Sequence, residues 1–175
     1  FLPVFNSLGG GGGALYSDKN INPYSPATYT AFKPNSFLFS TGLSHNLINI
    51  NSTTQNQLVN NTSLSHIILA CPITSKLAAS AGLIPFSSIG YNLNSSDSIY
   101  NAEMLYLGDG GISKVYIGGA LKINNNFSVG LNASYLFGGL NRRKKLDFND
   151  ETIFNSRSNS LINLKGFYYE LGAIY

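Results

Sequence analysis

Charged side chains are scarce in this chain of 175 residues, at 11% of the sequence against roughly a quarter in typical soluble domains. This excludes a charge-rich disordered protein. Long apolar runs are also missing, since the longest, Ile67 to Ile73, is far shorter than the about 20 residues that a helix needs to cross a bilayer. With 43% hydrophobic and 13% aromatic residues, two classes remain. One crosses lipid with strands, and the other is a secreted β-sandwich with polar loops.

Residues that carry catalysis or metal binding are also few. Cys71 is the single cysteine, which excludes an internal disulfide. His45 and His66 are far apart in sequence and have no cysteine or carboxylate cluster beside them. No nucleophile motif is present, and the Gly9–Gly13 run lacks the Gly-Lys-Ser/Thr of a phosphate loop. We therefore predict no enzyme, no cofactor and no metal. A net charge of +3 without a basic, aromatic-interleaved stripe also argues against nucleic acid as a partner.

The stretch from Ile112 to Gly138 has the clearest pattern in the chain. After the turn Asn124–Asn126, apolar and small polar residues alternate. The apolar set is Phe127, Val129, Leu131, Ala133, Tyr135 and Phe137, and the opposite set includes Ser128, Gly130, Asn132 and Ser134. Because successive side chains of a strand point to opposite faces, this predicts a hairpin with one apolar face. Such faces are typical of barrel strands in membranes, so we expect Ser128, Asn132 and Ser134 to face a lumen.

Alternation predicts further strands at 36–50, 62–73, 77–93 and 161–175. Polar or glycine-rich stretches predict loops at 51–61, 94–111 and 147–159, and tight turns at Thr74–Lys76 and Asn124–Asn126. With the two strands of the hairpin, this makes six. Counting 99–107 and 141–156 as strands makes about eight, enough to close a small barrel.

Residues 1–35 differ from the predicted barrel strands of residues 36–175. Glycine and proline are too frequent there for strands or helices, yet Leu15, Tyr16 and Tyr29 are too apolar for a solvated tail. We predict a compact irregular segment packed inside something. Because a barrel protein must be exported and Phe1–Phe5 lacks the features of a signal peptide, we expect a leader to be missing from this numbering.

In this order of elements the chain resembles the FadL/TodX-like outer-membrane transporters of long-chain fatty acids and other hydrophobic compounds, in a divergent, Bacteroidetes-type form. In that family an N-terminal hatch with an Asn-Pro-Ala signature plugs an antiparallel barrel of fourteen strands. The run Asn22-Pro23-Tyr24-Ser25-Pro26-Ala27 stands at the matching place. The resemblance implies hatch roles for Asn22, Pro23, Pro26 and Ala27, and a fragment that holds the hatch and about six of the strands.

Pro85 falls inside the third predicted strand, and a proline in a sheet belongs at an edge, bulge or break. In the resembled family an inward kink of this strand opens the wall sideways, so that a ligand can diffuse into the bilayer. The resemblance therefore implies a lateral gate at Gly82, Pro85, Phe86 and Gly90. The alternative is a bulge near the barrel rim.

Three functions follow as hypotheses. The resemblance implies passive uptake of hydrophobic, fatty-acid-like molecules through a plugged barrel of the bacterial outer membrane. The second is a structural or accessory subunit of a larger outer-membrane secretion or assembly complex, with protein partners. The third is a small closed barrel that serves as a membrane anchor. The basic run Arg142–Lys145 is either a solvated strand end or a contact with lipid phosphate groups, so outer-membrane lipid or lipopolysaccharide is a further expected partner.

Overall fold

The computed structural model describes residues 7–9, 12–51, 56–97, 102–148 and 154–175. In these ranges six strands form one antiparallel sheet, in which each strand lies beside the next along the chain. They are β1 (Leu38–Asn51), β2 (Asn56–Pro72), β3 (Leu77–Asp97), β4 (Ala102–Lys122), β5 (Ser128–Phe148) and β6 (Ser156–Ile174). Two short 3₁₀ helices, Gly12–Ala14 and Pro26–Ala31, precede them. The predicted all-β antiparallel fold is confirmed, whereas the closed fourteen-stranded barrel with a hatch stays a prediction.

The chain divides into two compact units. The first contains Phe1–Pro85, Val115–Ser134 and Phe167–Tyr175, and the second contains Phe86–Lys114 and Tyr135–Gly166. No helix among the described residues is long and apolar enough to cross a membrane.

Large apolar side chains of the first unit lie on the exposed face of its sheet. Ile117 is 68% exposed, whereas the adjacent Tyr116 is 3% exposed. On the next strand Leu131 is 47% exposed and Asn132 is fully buried. A soluble sandwich would bury the apolar face and expose the polar one. The observed arrangement is typical of strands whose outer face meets lipid.

Both predicted tight turns are present. Between β2 and β3 the amides of Ile73 and Thr74 donate to the Leu77 carbonyl at 2.8 and 3.0 Å, and the Thr74 hydroxyl accepts from the Leu77 amide. Between β4 and β5 the Ile123 amide donates to the Phe127 carbonyl at 3.0 Å. A side-chain oxygen that accepts a hydrogen bond from a backbone amide two or three residues later, as Thr74 does, stabilises such short turns.

The predicted loops at 94–111 and 147–159 were wrong over much of their length. β3 continues to Asp97, β4 begins at Ala102, and β5 continues to Phe148, while residues 98–101 and 149–153 lie outside the described ones. The predicted loop at 51–61 is likewise mostly strand, because β2 begins at Asn56. Ladder hydrogen bonds are made by the backbone, so polar and glycine-rich stretches can pair when their neighbours hold the register.

Pro85 does not break the third strand, since β3 is continuous from Leu77 to Asp97. The φ that proline imposes is close to that of extended backbone, and the missing amide removes only one ladder donor. The predicted interruption of the strand was therefore wrong. Gly82, Pro85, Phe86 and Gly90 lie along this one continuous strand, with Gly82 and Pro85 in the first unit and Phe86 and Gly90 in the second.

Candidate functional site

The N-terminal segment, here the described residues from Gly12 to Asn35, packs on the buried face of the first unit's sheet. Its Ile21, Tyr29 and Phe32 join a core cluster with residues of β2, β3 and β4. The strand residues of the cluster are Ile68, Ala70, Ala78, Ile84, Tyr116 and Ala120. Apart from Tyr116, these strand residues are isoleucine or alanine, and they leave room for the aromatic rings of Tyr29 and Phe32.

Asn22 organises the segment internally. Its side-chain amide donates to the carbonyls of Gly12, Gly13 and Leu15 at 3.1, 3.2 and 3.4 Å, and its side-chain oxygen accepts from the Tyr24 amide. The Asn22 side chain is fully buried. One asparagine therefore holds the two halves of a segment that has almost no regular secondary structure of its own.

The second 3₁₀ helix begins at Pro26, which needs no amide partner at this position. The Thr28 hydroxyl donates to the Ser25 carbonyl at 2.7 Å, and the Thr30 hydroxyl donates to the Ala27 carbonyl at 2.9 Å. The Thr30 hydroxyl also shares a hydrogen bond of 3.1 Å with the Ser128 hydroxyl of β5. This hydrogen bond ties the helix to the start of β5.

Asn132 of β5 connects the segment to the sheet. Its oxygen accepts a hydrogen bond from the Tyr29 hydroxyl at 3.1 Å. Its amide donates to the Pro23 carbonyl at 2.8 Å and to the Glu170 carboxylate of β6 at 3.3 Å. The side chain is fully buried, so one asparagine satisfies three polar groups of the interior at once.

A second polar contact reinforces the same core. The hydroxyls of Ser80 and Tyr116 share a hydrogen bond at 2.9 Å, and the Ser80 hydroxyl also lies 3.0 Å from the Leu69 carbonyl, to which it donates. Both side chains are buried. These bonds link β2, β3 and β4 beneath the segment.

Three glycines of the sheet, Gly118, Gly130 and Gly172, leave the space that the segment and Asn132 occupy, and we call them the glycine seat. A Cβ at Gly130 would come within 2.5 Å of the Ala27 amide nitrogen, and a Cβ at Gly172 would lie 3.0 Å from Pro26 Cδ. A Cβ at Gly118 would collide with the Asn132 side chain. Any larger residue at Gly130 would therefore push Pro26 and Ala27 away from the sheet.

Electrostatics around the segment follow from burial. Burial raises the pKa of the Tyr29 hydroxyl to about 12, while its hydrogen bond to Asn132 opposes the shift. Burial, with a smaller contribution from the Glu170 carboxylate, also raises the pKa of Tyr24. At the surface, Lys33 lies 2.9 Å from Asp18, and this hydrogen-bonded pair lowers the pKa of the Asp18 carboxyl.

The structure brings together two of the sets that the sequence singled out. Asn22, Pro23, Pro26 and Ala27 are all buried in the segment, and Ser128, Asn132 and Ser134 are buried on the sheet beneath it. No contact was foreseen between the two sets. Ser134 differs from its neighbours, because its hydroxyl has no hydrogen-bond partner among the described residues.

The sequence predicted that the segment with Tyr29 is packed inside something, but sequence reasoning missed Tyr116 and Glu170 as parts of this site. A signal was present for both of the missed residues. Tyr116 is a large aromatic on the otherwise small and polar face of the hairpin, and Glu170 is the lone acid of the last strand. A residue that departs from the small, polar pattern of a lumen face indicates that another part of the protein packs against that face.

The arrangement holds the N-terminal segment on the sheet. Among the described residues no group of three or more His, Cys, Asp or Glu side chains is placed to hold a metal ion. His66 is buried and shares a 2.8 Å hydrogen bond with Ser40, whereas His45 bonds to Thr62. Both histidines are thus engaged in cross-strand contacts between β1 and β2.

One protein-family model, BamG, matches residues 4–175. The chain belongs to the BamG family. No curated protein and no solved structure matches it. The match covers the N-terminal segment and all six strands, so the site described above lies wholly within the BamG region.

The BamG match overturns the assignment to the FadL/TodX transporters. Uptake of fatty-acid-like molecules was wrong as the main function, and the hydrophobic small-molecule partner has no support. That assignment depended on an interior N-terminal segment, a short turn and a hairpin with one apolar face, as in membrane barrels. Each of these features occurs in outer-membrane β-barrels generally and does not distinguish one family from another. The BamG family instead indicates association with the outer membrane and protein partners in an outer-membrane complex.

Proposed function

We propose that this BamG-family protein is an accessory subunit of an outer-membrane protein assembly complex. In this proposal its strands span the outer membrane as part of a barrel wall, and its N-terminal segment is fixed against the inner side of that wall. The observation that carries the proposal is the BamG match over residues 4–175. The second of the sequence-based hypotheses, an accessory subunit without transport of its own, is the one retained.

Two structural features support this role. The exposed face of the first unit carries Phe39, Leu43, Ile117 and Leu171, with exposures of 59 to 82%, which suits a surface that faces lipid. The N-terminal segment is hydrogen-bonded to β5, lies against glycines of β5 and β6, and packs on core residues of β2, β3 and β4, so it is fixed rather than free to leave. A rigid interior segment suits a subunit that presents a fixed surface to protein partners.

Depletion in the native bacterium tests the proposal. Loss of the protein should lower the outer-membrane amounts of other β-barrel proteins, measured by quantitative proteomics of purified outer membranes. A wild-type copy should restore them. Unchanged amounts of all other barrel proteins after depletion would refute an assembly role.

Co-purification provides an independent test. A tagged copy extracted in mild detergent should carry other subunits of the assembly complex with it, whereas an unrelated tagged outer-membrane barrel at equal abundance should not. Recovery of the tagged protein alone, with no other subunit above the level of that control, would contradict the proposed membership.

A further inference from the structure

A cleft of about 350 Å³ in the second unit is lined by both basic and apolar side chains. Its lining combines four cations with two leucines and two small polar residues. They are Arg143, Lys144 and Lys145 of β5, Arg157, Ser158 and Asn159 of β6, and Leu105 and Leu107 of β4. Neighbouring strands therefore gather positive charge and apolar surface in one place.

Not all of this charge is neutralised within the protein. The Arg143 guanidinium lies 3.0 Å from the Asp109 carboxylate, and Lys145 pairs with Asp147. The Lys144 ammonium lies 5.4 Å from the centre of the Tyr106 ring. Lys144 and Arg157 have no ion pair within the residues that the structure describes. Among the described residues, four cations of the cleft thus face two carboxylates, which leaves a surplus of positive charge there.

We propose that this cleft binds the phosphate-bearing headgroup of an outer-membrane lipid. Guanidinium groups offer paired donors that match phosphate oxygens, and lysines add charge without strict geometry. Leu105 and Leu107 give apolar contact to the lipid part of the same molecule, which a free inorganic anion could not use. The site rests on the association of the family with the outer membrane and does not require the assembly role.

Binding can be measured on the full-length protein in detergent micelles. The probe is diphosphoryl lipid A in mixed micelles of detergent and phosphatidylcholine, with mixed micelles that contain phosphatidylcholine but no lipid A as reference. The test variant is Lys144→Gln/Arg157→Gln, which removes the two cations without a carboxylate partner. We expect it to weaken binding by about 25-fold, because each basic side chain near an anionic lipid surface contributes a factor of about five.

The matched control is Arg142→Gln/Lys165→Gln, which removes the same charge from two exposed residues outside the cleft. It should bind like the wild type. Equal loss in both variants would mean that only overall charge matters, and would overturn the site. A Lys144→Arg/Arg157→Lys exchange keeps the charge and should retain binding, which separates loss of charge from loss of folding.

Two further outcomes would overturn the lipid assignment. Inorganic phosphate that displaces lipid A at similar concentrations would indicate a free-anion site without a lipid contribution. Loss of a co-purifying protein in the cleft variant, with lipid A binding unchanged, would indicate a contact with an acidic protein surface. Lipid binding that falls in the cleft variant while co-purification is unchanged would support the proposal and leave the assembly role to its own tests.

Discussion

The Tyr29 hydroxyl donates a hydrogen bond to the Asn132 side-chain oxygen, which lies 103 residues further along the chain. Both side chains are fully buried. The same asparagine donates to the Pro23 carbonyl and to Glu170, so the segment and two strands meet at one side chain. Three predictions test whether this contact and its surroundings hold the segment on the sheet, and a fourth tests the lipid-facing side of the sheet.

Replacing Asn132 with alanine should loosen the N-terminal segment. The change leaves the Tyr29 hydroxyl and the Pro23 carbonyl buried without their partner, at a cost of roughly 2–4 kcal/mol. Limited trypsin digestion after the exposed Lys19 should become faster. Ser134→Ala is the matched control, because it changes the same buried face of β5 but removes a hydroxyl that has no partner among the described residues. Equal digestion of both variants would contradict the role of Asn132.

Gly130→Ala should displace the segment by steric overlap with Pro26 and Ala27. A methyl group at this position cannot be accommodated without a backbone shift, at a cost of about 1–3 kcal/mol. Hydrogen exchange of the amides in 27–31 should speed up. In Gly119→Ala the nearest atom to the new Cβ is the Ala78 carbonyl oxygen at an ordinary 3.5 Å, so exchange there should not change. Protection that survives in Gly130→Ala would show that the seat is less tight than the contacts indicate.

Alkaline pH should destabilise the protein partly through Tyr29. Its pKa is raised to about 12 in the folded state, whereas an unfolded tyrosine titrates near 10. The stability that this neutral hydroxyl provides is therefore complete below about pH 10 and is lost as pH rises toward about 12, by roughly 2–3 kcal/mol in total. Tyr29→Phe cannot ionise, so its denaturant midpoint should fall less over this pH range than that of the wild type. Parallel curves for the two proteins would rule out this contribution.

Ile117→Arg should impair insertion into the outer membrane. Ile117 is 68% exposed, and a cation at the middle of a lipid-facing strand costs about 2–4 kcal/mol. We expect less folded protein in the outer-membrane fraction, measured by immunoblot of the separated membranes. Asn125→Arg adds the same charge in the exposed β4–β5 turn and should be inserted normally. Normal insertion of Ile117→Arg would contradict a lipid-facing position for this side chain.

Short-range patterns predicted much of the sheet. The alternation around Ile112–Gly138 and the residues of Thr74–Lys76 depend on neighbours in sequence, and the hairpin and the turn follow them. Strand ends were harder to predict, because ladder bonds continue through polar stretches such as 139–148 whose side chains no longer alternate in hydropathy. Side-chain patterns report the environment of a strand rather than its length.

The site and the family required information that local patterns do not hold. The contact of Tyr29 with Asn132 depends on how the segment crosses the sheet, which the residue types on either side do not encode. The transporter assignment depended on the order of elements and on a loose match at Asn22–Ala27. Because many outer-membrane proteins share that order, the order indicates a membrane environment and does not indicate the function of the protein.

The glycine seat at Gly118, Gly130 and Gly172 has a consequence for the order of folding. The segment is synthesised first, but its seat is made by β4, β5 and β6, the last strands of the described chain. Contacts of such long sequence separation form slowly, because the chain must close large loops before they stabilise it. Docking of the segment is therefore a late event, and until then only the β2 and β3 side chains of the core are available to the aromatic rings of Tyr29 and Phe32. A chain with this sequence of events is exposed to aggregation during its own assembly and benefits from being kept apart from other unfolded chains until β6 is in place.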